Sequence, residues 1–297
     1  MTKRVIRVLL VLILCLCAAA GVRAGERGHA TKDNVRWNTL TSSHYDVFYE
    51  SSWPPSGLIL DLERIYSTLR MTLANLGAGQ SDRKIKVYIY KSKETYLTAP
   101  SKPPQWSVAI AIYADSTIIM YDPKNTEKLR NTIAHESTHI ILHDYFRRAA
   151  KPVPIPVWFN EGMATLVEDT VSGGTAWSKS LEHFKNKNFM PLNQMLYSDP
   201  GTDSSGEAAS IWYLEAFSLA KFLSRPEKKI QFAALADNYR YNSIIDFEAA
   251  WLKWIETFTK NSEKNNTAFT SAEFTPFRTN FSNFAKPANF RRPEELQ

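Results

Sequence analysis

Cysteine is nearly absent: the 297-residue chain holds two, Cys15 and Cys17, both inside an apolar N-terminal segment. Removal of that segment on export would leave no thiol. A disulfide framework, a thiolate metal site and a cysteine nucleophile are then all excluded. Long apolar runs are missing as well. The longest, residues 8–20, has 13 residues, short of the roughly 20 that a membrane-spanning helix needs. Glycine is sparse, at 11 residues, and forms no glycine-rich phosphate loop; no basic stripe interleaved with aromatics marks a nucleic-acid surface. One-sided charge is also lacking. The net charge is +6, but Lys3, Arg4, Arg7 and Arg23 lie in the first 24 residues without an acid, and beyond them 32 basic residues face 30 acidic ones. The basic balance therefore gives no argument for an acidic partner.

What is present begins with that N-terminus. Lys3, Arg4 and Arg7 precede the apolar run, and Val22-Arg23-Ala24 has the small-x-small form of a cleavage site, so residues 1–24 read as a signal peptide. Cys15 and Cys17 each follow a leucine, where a lipoprotein signal requires a small residue. An exported chain without disulfides fits the periplasm or exterior of a bacterium. With 44% apolar and 22% charged residues, the remainder has the composition of a globular protein with a core. The expected organisation is one domain over 25–260, its sheet-containing part at 36–124 and its helical part at 125–260, and a polar tail over 261–297. No internal repeat is present.

Two strand-like runs occupy residues 37–50. Leu58, Leu62, Ile65, Leu69, Leu73 and Leu76 follow at helical spacing. Residues 84–90 alternate with period two, and 108–113 and 117–121 form a further strand pair around a turn at Ala114-Asp115-Ser116. From Asn125 onward the pattern is mostly helical, with helices over 125–148, 157–169, 208–223, 228–238 and 244–259. Three prolines, Pro152, Pro154 and Pro156, make a rigid connector between the first two.

The first of those helices carries the most informative residues. His135 and His139 stand four apart, so they share one face with Cβ atoms about 6 Å from each other. Both imidazoles can then reach one zinc ion at about 2.0–2.1 Å. Glu136 is rotated by about 100° and flanks the ion, where it can hold an attacking water and take its proton. Glu161, in Trp158-Phe159-Asn160-Glu161-Gly162, offers a third ligand from the next helix. A third histidine of the metzincin kind is excluded, because Tyr145 stands at its position and Leu142 at that of its glycine. His143 continues the histidine row one turn too far to join it and reads as a packing or surface residue.

At these residues the chain resembles the gluzincin proteases, and more closely the peptidase MA-like proteins. The matching strings are Ile133-Ala134-His135-Glu136-Ser137-Thr138-His139 and Pro156-Val157-Trp158-Phe159-Asn160-Glu161-Gly162-Met163-Ala164. The resemblance spans roughly 36–260 and is strong over 130–170. It implies that His135, His139 and Glu161 bind zinc and that Glu136 is the catalytic base. It further implies an oxyanion-binding tyrosine on a later helix, for which Tyr213 in Ile211-Trp212-Tyr213-Leu214-Glu215-Ala216 is the candidate. Two positions depart from the pattern. Glu215-Ala216 replaces a frequent lysine-glycine, which weakens any transfer of aminopeptidase specificity. Thr165 stands where thermolysin-like enzymes carry an aspartate, leaving Glu168 or Asp169 to orient His135.

The expected fold is α+β and zincin-like: a small, mostly antiparallel sheet with helices, then a helical lobe, with the active-site cleft between them. The expected function is a zinc-dependent peptidase acting on a peptide or protein substrate aligned along the strand at 117–121. The alternative is a non-catalytic zinc-binding or protease-like protein of envelope binding or assembly. No nucleic-acid partner and no stable membrane span after signal removal are expected.

Overall fold

The computed structural model describes residues 36–50, 54, 56–74, 83–148, 155–186, 189–198, 206–225 and 244–265. The signal peptide, the leader after it, residues 151–154 of the proline connector, the helix expected at 228–238 and the chain beyond 265 lie outside the described residues. Within them the protein is α+β.

Five strands form one sheet: β1 (Asn38–Thr41), β2 (Tyr45–Tyr49), β3 (Ile85–Tyr90), β4 (Ala109–Ile112) and β5 (Thr117–Tyr121), in the order β1-β2-β3-β5-β4. The sheet is mixed rather than mostly antiparallel. β1/β2 and β4/β5 are antiparallel, whereas β2/β3 and β3/β5 are parallel. The reason is the connection. Between β2 and β3 the chain passes through α1 (Leu58–Leu73), and a helical crossover returns the chain in the same direction. The order also corrects the expected substrate strand. β5 lies between β3 and β4, so both its edges are paired; β4 is the edge strand beside it.

The period-two pattern decides what each sheet face touches. Tyr45, Val47, Ile85, Val87, Ile89, Ile118 and Met120 point to the main core, where they meet Leu58, Leu62, Ile65, Leu69 and Leu73 of α1. Burying each of those helix side chains is worth about 1.5–3 kcal/mol. The intervening residues face the other way. Phe48, Tyr88, Tyr90, Ile119 and Tyr121 gather there with Trp37 and with Tyr96 of the short helix α2 (Lys93–Leu97).

The helical part holds α3 (Thr126–Arg148), α4 (Val157–Ser172), α5 (Thr175–Lys185), α6 (Leu192–Tyr197), α7 (Gly206–Leu223) and α8 (Ile244–Asn265). α3 starts where expected because Asn125 Oδ1 accepts the Lys128 N–H at 2.9 Å. Every residue from 133 to 142 is buried, so α3 is a central helix and not a surface one. α4 begins after Pro156 and closes at Gly173, whose φ of 87° is the left-handed cap that glycine supplies at least cost. It runs three residues past the expected end, and α8 runs to Asn265, beyond the expected 259. α5 and α6 lie in a stretch for which periodicity specified no separate helices.

Candidate metal centre

Two helices bring the candidate ligands together. His135 and His139 come from the middle of α3, and Glu161 from the first turns of α4. One ligand atom from each lies within 4.8 Å of the others, and all three residues are buried. Glu161 Oε2 is 3.6 Å from His135 Nε2, and Oε1 is 3.8 Å from His139 Nε2. These separations are too long for hydrogen bonds. They are close to the roughly 3.3 Å between two ligands that share one tetrahedral ion at about 2.0–2.1 Å.

The state of Glu161 tests the fit. Both its carboxylate oxygens are buried without a hydrogen bond among the described residues. A buried carboxylate in that condition costs several kcal/mol, on the order of 1–3 for even one lost hydrogen bond to a polar group. A cation between Glu161 and the two imidazoles would remove that cost. The set of two imidazoles and one carboxylate suits zinc among the divalent ions.

The polar middle of α3 is otherwise well served. Tyr45 donates its buried hydroxyl to Ser137 Oγ at 3.2 Å, and Thr138 Oγ1 donates to Ala134 O at 2.8 Å. His135 Nδ1 lies 3.0 Å from Glu168 Oε2. Glu168 is thus the orienting carboxylate, in place of the residue at 165. Asp169, the other candidate, is engaged elsewhere: its Oδ1 accepts the N–H groups of Ala176 and Trp177 at the start of α5, and Lys221 Nζ approaches Oδ2 at 3.7 Å.

The electrostatics differ sharply along one turn of helix. Burial alone would depress His135, but the carboxylates of Glu161 and Glu168 outweigh it and hold the imidazole up at about 10. Burial depresses His139 to about 4 and leaves it neutral, the form a metal needs. Burial pushes Glu136 up to about 7; the His135 charge opposes this, and the charges of Glu161 and Glu168 add to it.

Of the remaining sequence candidates, Tyr213 is partly buried on α7, and its ring meets Trp212 edge-on at 5.2 Å. α7 does pass close to the site: a Cβ added to Gly162, next to Glu161, would fall inside the carbonyl oxygen of Ala216. His143 packs, as expected, with its ring stacked on Tyr113 at 4.4 Å and 10°. Glu215, the departure from lysine, is fully buried and accepts from His183 Nε2 at 2.9 Å and from the Met190 N–H at 2.9 Å. Sequence reasoning missed Asn160, whose side chain lies near both His139 and Tyr113. Its place directly before Glu161 was the available signal. Tyr113, in the turn between β4 and β5, had no signal at all.

No helix among the described residues is long and apolar enough to cross a membrane. The sequence model of the Peptidase MA superfamily matches residues 68–253, more than half of the chain. No curated protein matches it.

Proposed function

The chain belongs to the Peptidase MA superfamily, and from that premise we propose that it is a zinc-dependent peptidase with a glutamate general base. The observation that carries this reading is the buried Glu161 carboxylate, without a hydrogen bond among the described residues, facing two imidazoles one turn apart beside Glu136.

His135, His139 and Glu161 would hold the ion. A bound zinc ion supplies polarisation of a carbonyl and acidification of water. Glu168 fixes the tautomer of His135: a proton on Nδ1 shared with the carboxylate leaves Nε2 to face Glu161 and the ion. Glu136 holds the attacking water and accepts its proton, then delivers it to the leaving amine. With no ion bound, burial holds its pKa above the usual carboxylate range, and the charge of a bound ion would draw it back down. Tyr213 is retained as a donor to the developing oxyanion. An extended peptide would add to β4, an edge strand of the sheet among the described residues, by main-chain hydrogen bonds. The active-site cleft would lie between the sheet part and the helical part, within a domain over 25–260. Residues 1–24 would direct export to the periplasm or exterior; the mass of the exported protein should then place its first residue at Gly25.

The deciding experiment is Glu136→Gln. We expect stoichiometric zinc to persist while peptide hydrolysis falls by about 10²–10⁴-fold, the contribution typical of a positioned general base. Retained hydrolysis refutes the mechanism. A wild-type protein that binds zinc yet cleaves no peptide, across a library of extended substrates, moves the assignment to a binding or assembly protein.

A further inference from the structure

Phe258, two turns before the end of α8, is one of the exposed large hydrophobic side chains among the described residues, at 37% exposure. It stands in a cluster of rings. It meets Trp177 of α5 at 5.3 Å and Trp254 of α8 at 5.2 Å, and the two indoles lie 5.2 Å apart. Both tryptophans are only partly buried. Two fully buried rings of α7 hold them from the other side: Phe217 meets Trp177, and Phe222 meets Trp254. The cluster is thus rooted in the core through α7 and open at Phe258. Large apolar side chains left open together mark a contact surface.

The chain after α8 carries the matching chemistry. Six of the sixteen phenylalanines fall within residues 266–297: Phe269, Phe274, Phe277, Phe281, Phe284 and Phe290. Thirty-two residues are too few to build a core around them. Phe274, Phe277, Phe281 and Phe284 are spaced i, i+3, i+7 and i+10, which on a helix makes one apolar stripe. Reach favours the cluster as its seat. Phe258 precedes Asn265, the last residue of α8, by seven positions, or about 10 Å. Residues 266–273 can span up to about 26 Å, enough to turn the chain back and bring Phe274 over α8. Residues 226–243 offer fewer rings, with Phe232, Tyr239 and Tyr241.

We propose that residues 274–284 dock their phenylalanine stripe on the cluster of Trp177, Trp254 and Phe258, clamping the C-terminal segment across α5 and α8. This contact is independent of the peptidase reading of the metal centre.

The test uses the full chain in three altered forms: Phe258→Ser, the triple change Phe277→Ser, Phe281→Ser and Phe284→Ser, and all four changes together. Phe258 is exposed and the triple change leaves every described residue in place, so each form should keep the far-UV circular dichroism of the wild type. We expect chymotrypsin to cut within 274–284 at least about 10-fold more slowly in the wild type than in Phe258→Ser, because cutting follows the undocked fraction. The triple change should lower the denaturant midpoint of the wild type and have little further effect beside Phe258→Ser, since both remove one contact. Equal cutting of the wild type and Phe258→Ser, or midpoint losses that add, overturns the proposal. A lower midpoint in Phe258→Ser with none in the triple change assigns the cluster to another segment, such as 226–243, and overturns it too. Protection that rises with protein concentration, with a dimer in sedimentation, assigns the cluster to a second copy and also overturns it.

Discussion

Two glutamates on facing helices, Glu161 on α4 and Glu215 on α7, are almost equally buried, at 1% and 0% exposure, and are treated in opposite ways. Glu215 is saturated. His183 Nε2 and the Met190 N–H both reach it at 2.9 Å, and it ties the end of α5 and the segment before α6 to α7. Glu161 is left bare, with two imidazoles held just beyond hydrogen-bond distance. The fold can satisfy a buried carboxylate when it needs a brace. Among the described residues nothing satisfies Glu161, and on the proposed reading a bound ion would be its partner.

The largest effects should separate these two residues. Glu161→Ala is expected to abolish stoichiometric zinc and activity while leaving the metal-free protein folded, with His135 keeping Glu168 as its carboxylate partner. Glu215→Ala should keep zinc stoichiometry but destabilise the protein by about 3–5 kcal/mol, since it strands a buried imidazole and a buried N–H. Denaturant melts of zinc-loaded and chelated protein check both. Chelation should lower the Tm of the wild type and of Glu215→Ala, and leave Glu161→Ala unmoved. A Tm drop of equal size in both variants would erase the distinction.

The next effect lies at the joint between the two regions. Gly162 follows Glu161 and rests on the carbonyl of Ala216, which follows Glu215. The obstacle to a Cβ there is main chain, which cannot swing aside as a side chain would. Gly162→Ala should force α4 and α7 apart and cost about 1–3 kcal/mol, read as a lower denaturant midpoint. It should also weaken zinc binding, because α4 carries Glu161. A neutral Gly162→Ala would mean that the two helices can separate without disturbing the site.

Much of the centre was legible because its information is local. The i, i+4 spacing of His135 and His139 needs only a helix, and Glu161 sits in a contiguous string that begins at Pro156. The α+β class followed from period-two runs giving way to helical ones. Parallel pairing was missed although its cause was visible, a helix-forming run between residues 45–49 and 85–90. Tyr113 was not readable by any such rule. Its place depends on how the β4–β5 turn rests on α3, a contact between residues 30 apart in sequence for Tyr113 and His143, and no pattern along the chain encodes it. The choice between Glu168 and Asp169 was equally closed to sequence, since neighbouring helix positions differ by about 100° of rotation. That rotation sends one to His135 and the other to the N-terminus of α5.

That pairing gives a smaller effect. Glu168→Gln keeps a hydrogen-bonding group beside His135 Nδ1 but removes its charge. Zinc affinity should fall by about 10–100-fold, as for other partners of metal-bound histidines, with fold stability little changed. Competition with a chromogenic chelator measures it. A loss as complete as that of Glu161→Ala would mean that Glu168 itself binds the ion.

The smallest effect comes from a third imidazole–carboxylate pair, His44 and Glu63, which sits at the surface of the sheet part. His44 Nδ1 is 2.6 Å from Glu63 Oε2, its backbone N–H reaches Oε1 at 3.1 Å, and its ring stacks on Tyr66. Partial burial would raise the Glu63 pKa, but hydrogen bonds from Ser42 and His44 outweigh it and hold the carboxyl below its ordinary value. A depressed carboxyl stabilises the fold above its unfolded pKa, and that stability is lost as pH falls through the folded one. Both side chains are about one third exposed, at 35% and 30%, so water screens the pair and its worth is below about 1 kcal/mol. Glu63→Gln should lower Tm slightly at pH 6–7 and converge with the wild type in acid, without any change in zinc content. A shift as large as that of Glu215→Ala would show that burial is not what separates a brace from a surface contact in this protein.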